Sequence, residues 1–159
     1  MVDESKRREP TLEVDVAVVG AGFAGMYLVH KLREQGFSVR AFEDATDVGG
    51  TWWWNRYPGA RVDIVSMEYS YEFSPELQQE WNWSEKYATQ PELLDYAGHV
   101  ADRFDLRRDI QFSTRVTAAE FDEQKDRWLV STSRDDLVSA QYVVLATGIL
   151  STRNTPPFE

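Results

Sequence analysis

Gly20, Gly22 and Gly25 lie in the run GAGFAG, directly behind the apolar stretch VDVAVV (14–19) and ahead of a helical pattern. In that context the G-x-G-x-x-G spacing predicts a dinucleotide site. The first glycine permits a tight turn, the second lets backbone N–H groups approach a pyrophosphate, and the third lets helix and strand pack closely. The helix then presents its positive dipole end to the phosphates. Glu43 ends the next predicted strand, 18 residues after Gly25. That is close to the ~20 residues expected of a ribose-binding acid. A carboxylate there accepts hydrogen bonds from ribose hydroxyls and repels a 2′-phosphate, so this site is read for FAD or NAD rather than NADPH.

A second cluster, GGTWWWNRYPGARVD, covers residues 49 to 63. Three consecutive tryptophans are costly to place, because each buried indole N–H wants a partner. Aromatic residues crowd the stretch from Trp52 to Tyr87, which points to a surface built for something flat or for a partner domain. Asp63 closes the cluster as a candidate functional acid, although aspartate is also a favoured N-cap for a helix starting near Ile64. Core packing accounts equally well for Trp53, and for Trp81 and Trp83.

The elements that position these residues are legible in the pattern. VDVAVV reads as a buried strand, Ala24 to Gln35 as a helix stopped by Gly36, and SVRAFE (38–43) as a second strand. Together they form a βαβ unit with a parallel pair. Ser74-Pro75 looks like a helix start, and Thr89 with Glu92 like a capping box. The helix it opens carries Leu93, Ala97, Val100 and Phe104 on one face. Period-two stretches at 110–116, 118–121, 127–132 and around Val138 predict a small antiparallel meander, and YVVLATG (142–148) a separate central parallel strand. The fold class is therefore α/β with a parallel central sheet and a small antiparallel β-meander. The meander ahead of a strand ending in Ala146-Thr147-Gly148 resembles the two-dinucleotide-binding flavoproteins, which implies a Rossmann-like FAD-binding domain. Its expected divisions are a tail at 1–13, the domain at 14–150 and the start of a linker at 151–159.

Composition narrows the function. The chain has 159 residues, 42% of them hydrophobic, enough for one domain with a real core. Seventeen basic residues against 27 acidic give a net charge of −10, which argues against nucleic-acid binding. No cysteine is present, and His30 and His99 are not at metal-ligand spacing, so no metal site is expected. The sequence shows no signal peptide and no membrane-length apolar run, and it is read as cytoplasmic.

GAGFAG, Glu43, DVGGTWWWNRYPGARVD and the run from Met67 to Leu106 resemble the Baeyer–Villiger monooxygenases, above all the branch acting on cyclic and aryl ketones. The resemblance implies a flavoprotein that uses NADPH and O2 to convert ketones to esters or lactones through a flavin C4a-peroxide. Carried onto these positions, Gly20, Gly22, Phe23 and Gly25 would hold the FAD pyrophosphate and Glu43 the ribose. Gly50, Thr51, Trp52 and Trp54 would line the flavin, with Tyr69 nearby, and the Val116 backbone would meet the adenine. Arg61 and Val62 would approach the nicotinamide cofactor. Asp63, the catalytic candidate, would support an active-site arginine. Trp53 stands where relatives most often carry tyrosine. The family's NADPH-binding domain, its F-x-G-x-x-x-H signature and its catalytic arginine are not found here. The expectation is thus the first FAD-binding segment of a larger enzyme, binding FAD without full turnover. A stand-alone flavin module and an N- or S-oxygenating flavin monooxygenase are the alternatives, the NRYPGARVD run weighing against the latter.

Overall fold

The structure is a computed structural model that describes residues 9–151 and 155–158. Residues 1–8 of the expected tail and residues 152–154 and 159 of the expected linker lie outside the described residues. Strand β1 (Leu12–Val19) is followed by helix α1 (Phe23–Glu34) and strand β2 (Val39–Phe42). Then come helices α2 (Thr51–Trp54), α3 (Pro75–Glu80) and α4 (Gln90–Arg103), and strands β3 (Ile110–Gln111), β4 (Val116–Asp122), β5 (Arg127–Thr132) and β6 (Leu137–Leu145). Short 3₁₀ turns occupy Ser66–Tyr69 and Arg107–Asp109.

All six strands join one sheet in the order β3-β2-β1-β6-β5-β4. The first four run parallel, with Val16 opposite Val39 and Tyr142, while β5 and β4 add antiparallel strands at one edge. The predicted α/β class is the observed one. β1 lies between β2 and β6, and its stretch from Val16 to Val19 is apolar, in keeping with a strand that meets a core on each face. Val16 and Val18 enter a core with Met26 and Val29 of α1 and Tyr96, Ala97 and Val100 of α4. Ala17 faces a second core with Phe42, Val130, Val138 and Ala140.

Helix α1 ends as its sequence predicts. Gly36 takes φ +85°, its N–H donates to the Arg33 carbonyl, and the Phe37 N–H donates to the Leu32 carbonyl. This is a Schellman ending, which satisfies the last free carbonyls of the helix. Ser74 caps α3 as expected, its Oγ accepting the Leu77 N–H at 3.2 Å.

Several expectations are corrected. β1 begins at Leu12 rather than Val14, because Leu12 and Glu13 pair with Val138 and Ser139 of β6. The stretch 110–116 is no meander strand: only Ile110 and Gln111 extend, and they pair parallel with β2. The segment around Val138 and the stretch from 142 are one strand, β6, which ends at Leu145. Its first half pairs with β5 on one side while its whole length pairs with β1 on the other, so the meander and the parallel sheet share it. Thr89 is the N-cap of α4 but makes no side-chain cap bond. The Glu92 carboxylate instead accepts from the Ser84 N–H at 2.7 Å and the Ser84 hydroxyl at 2.9 Å. Asp63 caps nothing, since the next helical turn starts at Ser66 behind Val65.

Met26 is wholly buried between α1 and the sheet. Met26→Ala is expected to lower stability by about 2–5 kcal/mol, the range for truncating a buried side chain to alanine. Urea denaturation followed by circular dichroism measures it, and a loss under about 1 kcal/mol would show that the core closes around the gap.

Candidate functional site

Three parallel strands end together and define the site. The Gly20 N–H donates to the Phe42 carbonyl at 2.8 Å, the Glu43 N–H to Gln111 at 2.9 Å, and the Ala146 N–H to Val19 at 2.8 Å. Ligands of open α/β sheets bind beyond such carboxyl ends. Gly20 turns the chain at φ +105°, and a Cβ there would lie 2.6 Å from the Ala146 carbonyl oxygen. A Cβ on Gly25 would lie 2.0 Å from the Gly20 oxygen. These two close approaches set the N-terminus of α1 directly on the strand ends. Gly22 is the N-cap and supplies no side-chain acceptor, so the first-turn N–H groups have no capping side chain.

Glu43 is 6% exposed and sits beside this turn. Its two oxygens accept the Ala21 N–H at 2.7 Å and the Ala45 N–H at 2.8 Å. The carboxylate therefore braces the glycine turn from within. Each oxygen keeps a second lone pair for a ribose hydroxyl.

The loop after β2 closes the cradle. The Gly49 N–H donates to the Ala21 carbonyl at 3.2 Å, and Arg107 holds Asp47 at 3.0 Å. Gly50, at φ +54°, lies so near Gly22 that a Cβ on it would meet the Gly22 Cα at 2.8 Å. Behind it, Thr51 to Trp54 form α2, a helix too short and too bulky to read from pattern. Trp52 is buried with Val62, Ala88 and Leu93, and its carbonyl accepts from Gln90 Nε2 at 2.6 Å. Trp53 carries the Arg56 guanidinium 4.1 Å from its ring centre, a cation–π contact. Trp54 is exposed.

Tyr69 joins the two halves. Its ring meets Trp52 edge-on at 5.7 Å and Phe23 edge-on at 5.5 Å. Burial, and then the negative charge of Asp63, push its phenol above the ordinary value. Val62 and Tyr69 thus pack on Trp52, and the Asp63 carboxylate is felt at the Tyr69 phenol. Arg61 turns away, pairing with Glu85 at 3.1 Å while its backbone bridges to Thr89. Val116 begins β4, two residues beyond Thr114, whose N–H donates to the Glu43 carbonyl at 2.8 Å. An Asp44–Arg115 ion pair ties the same two segments together.

Sequence reasoning missed Gln90, Tyr71 and Tyr96. Gln90 bonds a main-chain carbonyl 38 residues away, and no local pattern announces such a partner. Tyr96 is buried in the core with Ala97 and Val100 of α4, but the apolar stripe read from the sequence did not include it. Trp81 and Trp83 pack on Tyr96, Trp83 donating its indole N–H to Ser70 Oγ at 2.9 Å, so packing accounts for both. Among the described residues no cluster of side chains could hold a metal ion, and no helix is long and apolar enough to cross a membrane.

The geometry agrees with what comparison finds. Residues 18–81 match the family described as NAD(P)-binding Rossmann-like domain. A Baeyer-Villiger monooxygenase of Pseudooceanicola batsensis is 49% identical over 148 residues, which are 92% of this chain and 27% of that protein. A phenazine N-monooxygenase of Lysobacter antibioticus is 47% identical over 95% of this chain and 27% of its own length. The structure of an oxidized steroid monooxygenase bound to NADP superposes with a TM-score of 0.89 at 65% identity, covering 92% of this chain and 28% of that one. The chain thus spans little more than a quarter of the proteins it matches. Over that span its sequence and fold are similar to the amino-terminal part of Baeyer–Villiger monooxygenases and related flavin monooxygenases.

Proposed function

We propose that these residues are the FAD-binding part of an NADPH-dependent Baeyer–Villiger monooxygenase that converts a ketone to an ester or lactone with O2. The observation that carries the reading is the cradle at the strand ends. Uncapped first-turn N–H groups, a Gly22–Gly50 gap too narrow for side chains, and a buried carboxylate with free lone pairs lie together there. Those groups fit the pyrophosphate and ribose of FAD. Gly20, Gly22, Phe23 and Gly25 would border the pyrophosphate, Glu43 the ribose and Val116 the adenine. Gly50, Thr51, Trp52, Trp54 and Tyr69 would border the flavin. When bound and reduced, FAD supplies the activation of O2 for oxygen insertion beside the carbonyl.

The chain's own residues orient the cofactor and exclude water. Trp52, Val62 and Tyr69 form an apolar wall at the flavin end. Asp63, exposed beside that wall, would hold a cationic side chain supplied by the rest of the enzyme. The main chain at Arg61 and Val62 would approach the nicotinamide cofactor, the Arg61 side chain being turned to Glu85. In this reading residues 14–150 form the FAD-binding unit and those after 150 lead toward an NADPH-binding domain. A cytoplasmic location suits a cysteine-free chain that draws on NADPH. Nitrogen oxygenation is the second reading. Its support is the 47% identity to a phenazine N-monooxygenase, which shows that the segment is shared by enzymes named for different oxygenations.

The purified 159-residue chain is expected to carry flavin absorbance that is released on denaturation, and to give no NADPH-dependent lactone from a cyclic ketone. A colourless preparation unaffected by added FAD overturns the binding assignment. Product from these residues alone overturns the division of labour. Glu43→Ala is expected to raise the FAD dissociation constant by about tenfold or more, the worth of a hydrogen bond to a charged group. It also removes the acceptor of two backbone N–H groups, so a fall in Tm accompanies it. Unchanged affinity in a fluorescence titration means that Glu43 is not the ribose ligand.

A further inference from the structure

One buried hydroxyl reaches into the glycine motif from outside it. Tyr71 Oη donates to the Phe23 carbonyl at 2.5 Å, while the Tyr71 N–H donates to Tyr96 Oη at 2.8 Å. Tyr96 belongs to α4 and is almost wholly buried. Phe23, the first residue of α1, stacks on both rings, 5.5 Å from Tyr71 and 6.1 Å from Tyr96. The segment carrying Tyr71 is thereby strapped between α4 and the start of α1. Burial, with Tyr96 adding to it, pushes the Tyr71 phenol far above its ordinary value, which keeps the proton on the oxygen as a permanent donor.

The Phe23 carbonyl and the Ala24 N–H belong to one planar peptide unit and point in opposite directions. Ala24 is the second residue of α1, so its N–H has no acceptor within the helix and faces the cradle. A hydrogen bond accepted at the carbonyl polarises that unit and strengthens its N–H as a donor, by about 10–30% per bond in condensed phases. A carbonyl oxygen has two lone pairs, so the contact does not compete with the helix's own bond.

We propose that Tyr71 is a positioning residue of the dinucleotide site, its hydroxyl locking the Phe23–Ala24 peptide and sharpening the Ala24 N–H toward pyrophosphate. The proposal rests on the dinucleotide reading of the cradle and adds a residue outside the glycine motif, 48 positions from Phe23. Tyr71 acts on the diphosphate and leaves the nucleoside alone.

The test compares ADP and adenosine as probes of the 159-residue chain by titration calorimetry. Tyr71→Phe is expected to weaken ADP about two- to fourfold, in keeping with a loss of up to about 30% of one hydrogen bond to a charged group. Adenosine affinity should stay unchanged. Equal weakening of both probes would mean that Tyr71 only supports the fold, and unchanged ADP binding means that it does nothing to the site; either result overturns the proposal. A second variant guards against a folding defect. Replacing Tyr71 by 3-fluorotyrosine preserves shape and makes a stronger donor, so ADP should bind more tightly and the Ala24 amide proton should shift downfield in the ligand-free chain. Weaker or unchanged ADP binding there also overturns it. If the parent chain binds neither ADP nor adenosine, the dinucleotide reading itself fails, which is a distinct result.

Discussion

The absence of a side chain at residue 25 is the constraint on which the site depends. Any Cβ there would collide with the Gly20 carbonyl, so only glycine lets α1 begin against the end of β1. Moving the helix outward by the width of a methyl group would loosen Met26 and Val29 from the sheet. It would also carry the uncapped N–H groups away from Glu43, and part Gly22 from Gly50. The core and the cradle thus share one contact distance. A close-packed interior transmits such a shift rather than absorbing it.

Glu43 shows how the same economy extends to polar groups. A buried carboxylate is costly unless it is paired or hydrogen-bonded. Here two backbone N–H groups, from Ala21 and Ala45, supply that satisfaction before any ligand arrives. The glycine turn and the loop that leads to Gly49 and Gly50 are therefore held by a single side chain. Arg107 on Asp47 and Gln90 on the Trp52 carbonyl continue the bracing toward the aromatic end. The site is stiff because its loops hang on side chains from α4 and from the turn that follows it.

Local pattern carried much of this. The period of VDVAVV, the spacing of Met26 and Val29, and Gly36 as a stop all follow from backbone geometry within a few residues, and they put the glycine turn and Glu43 in place. Apart from the Ser74 cap of α3, residues 44 to 88 were opaque for the opposite reason. Their shape comes from ring packing and from side chains bonding distant carbonyls, as Tyr71 does to Phe23. The capping box failed because Ser84, five residues before Thr89, offered Glu92 two donors. The split of β6 into two strands failed because a strand can be antiparallel to one neighbour and parallel to the other, and period alone does not reveal its partners. The GGTWWWNRYPGARVD stretch pointed to the relatives, yet a protein named for nitrogen oxygenation is 47% identical over 95% of this chain, so likeness over this span does not tell which atom is oxygenated.

The pairing of β1 with β6 has a consequence in time. Leu12 lies opposite Val138, and the Thr11 N–H donates to Leu137, so the first strand finds one of its two neighbours more than a hundred residues downstream. At about 5–20 residues per second, a ribosome leaves β1 waiting roughly ten seconds for that edge to emerge. Through that interval one rim of a strand whose second half is apolar lacks its partner, the condition under which chaperones and neighbouring nascent chains compete for it. Completion of β6 ends the exposure at a stroke, bringing both termini of the sheet together and making this stretch of the polypeptide a unit that closes as soon as residue 145 is free.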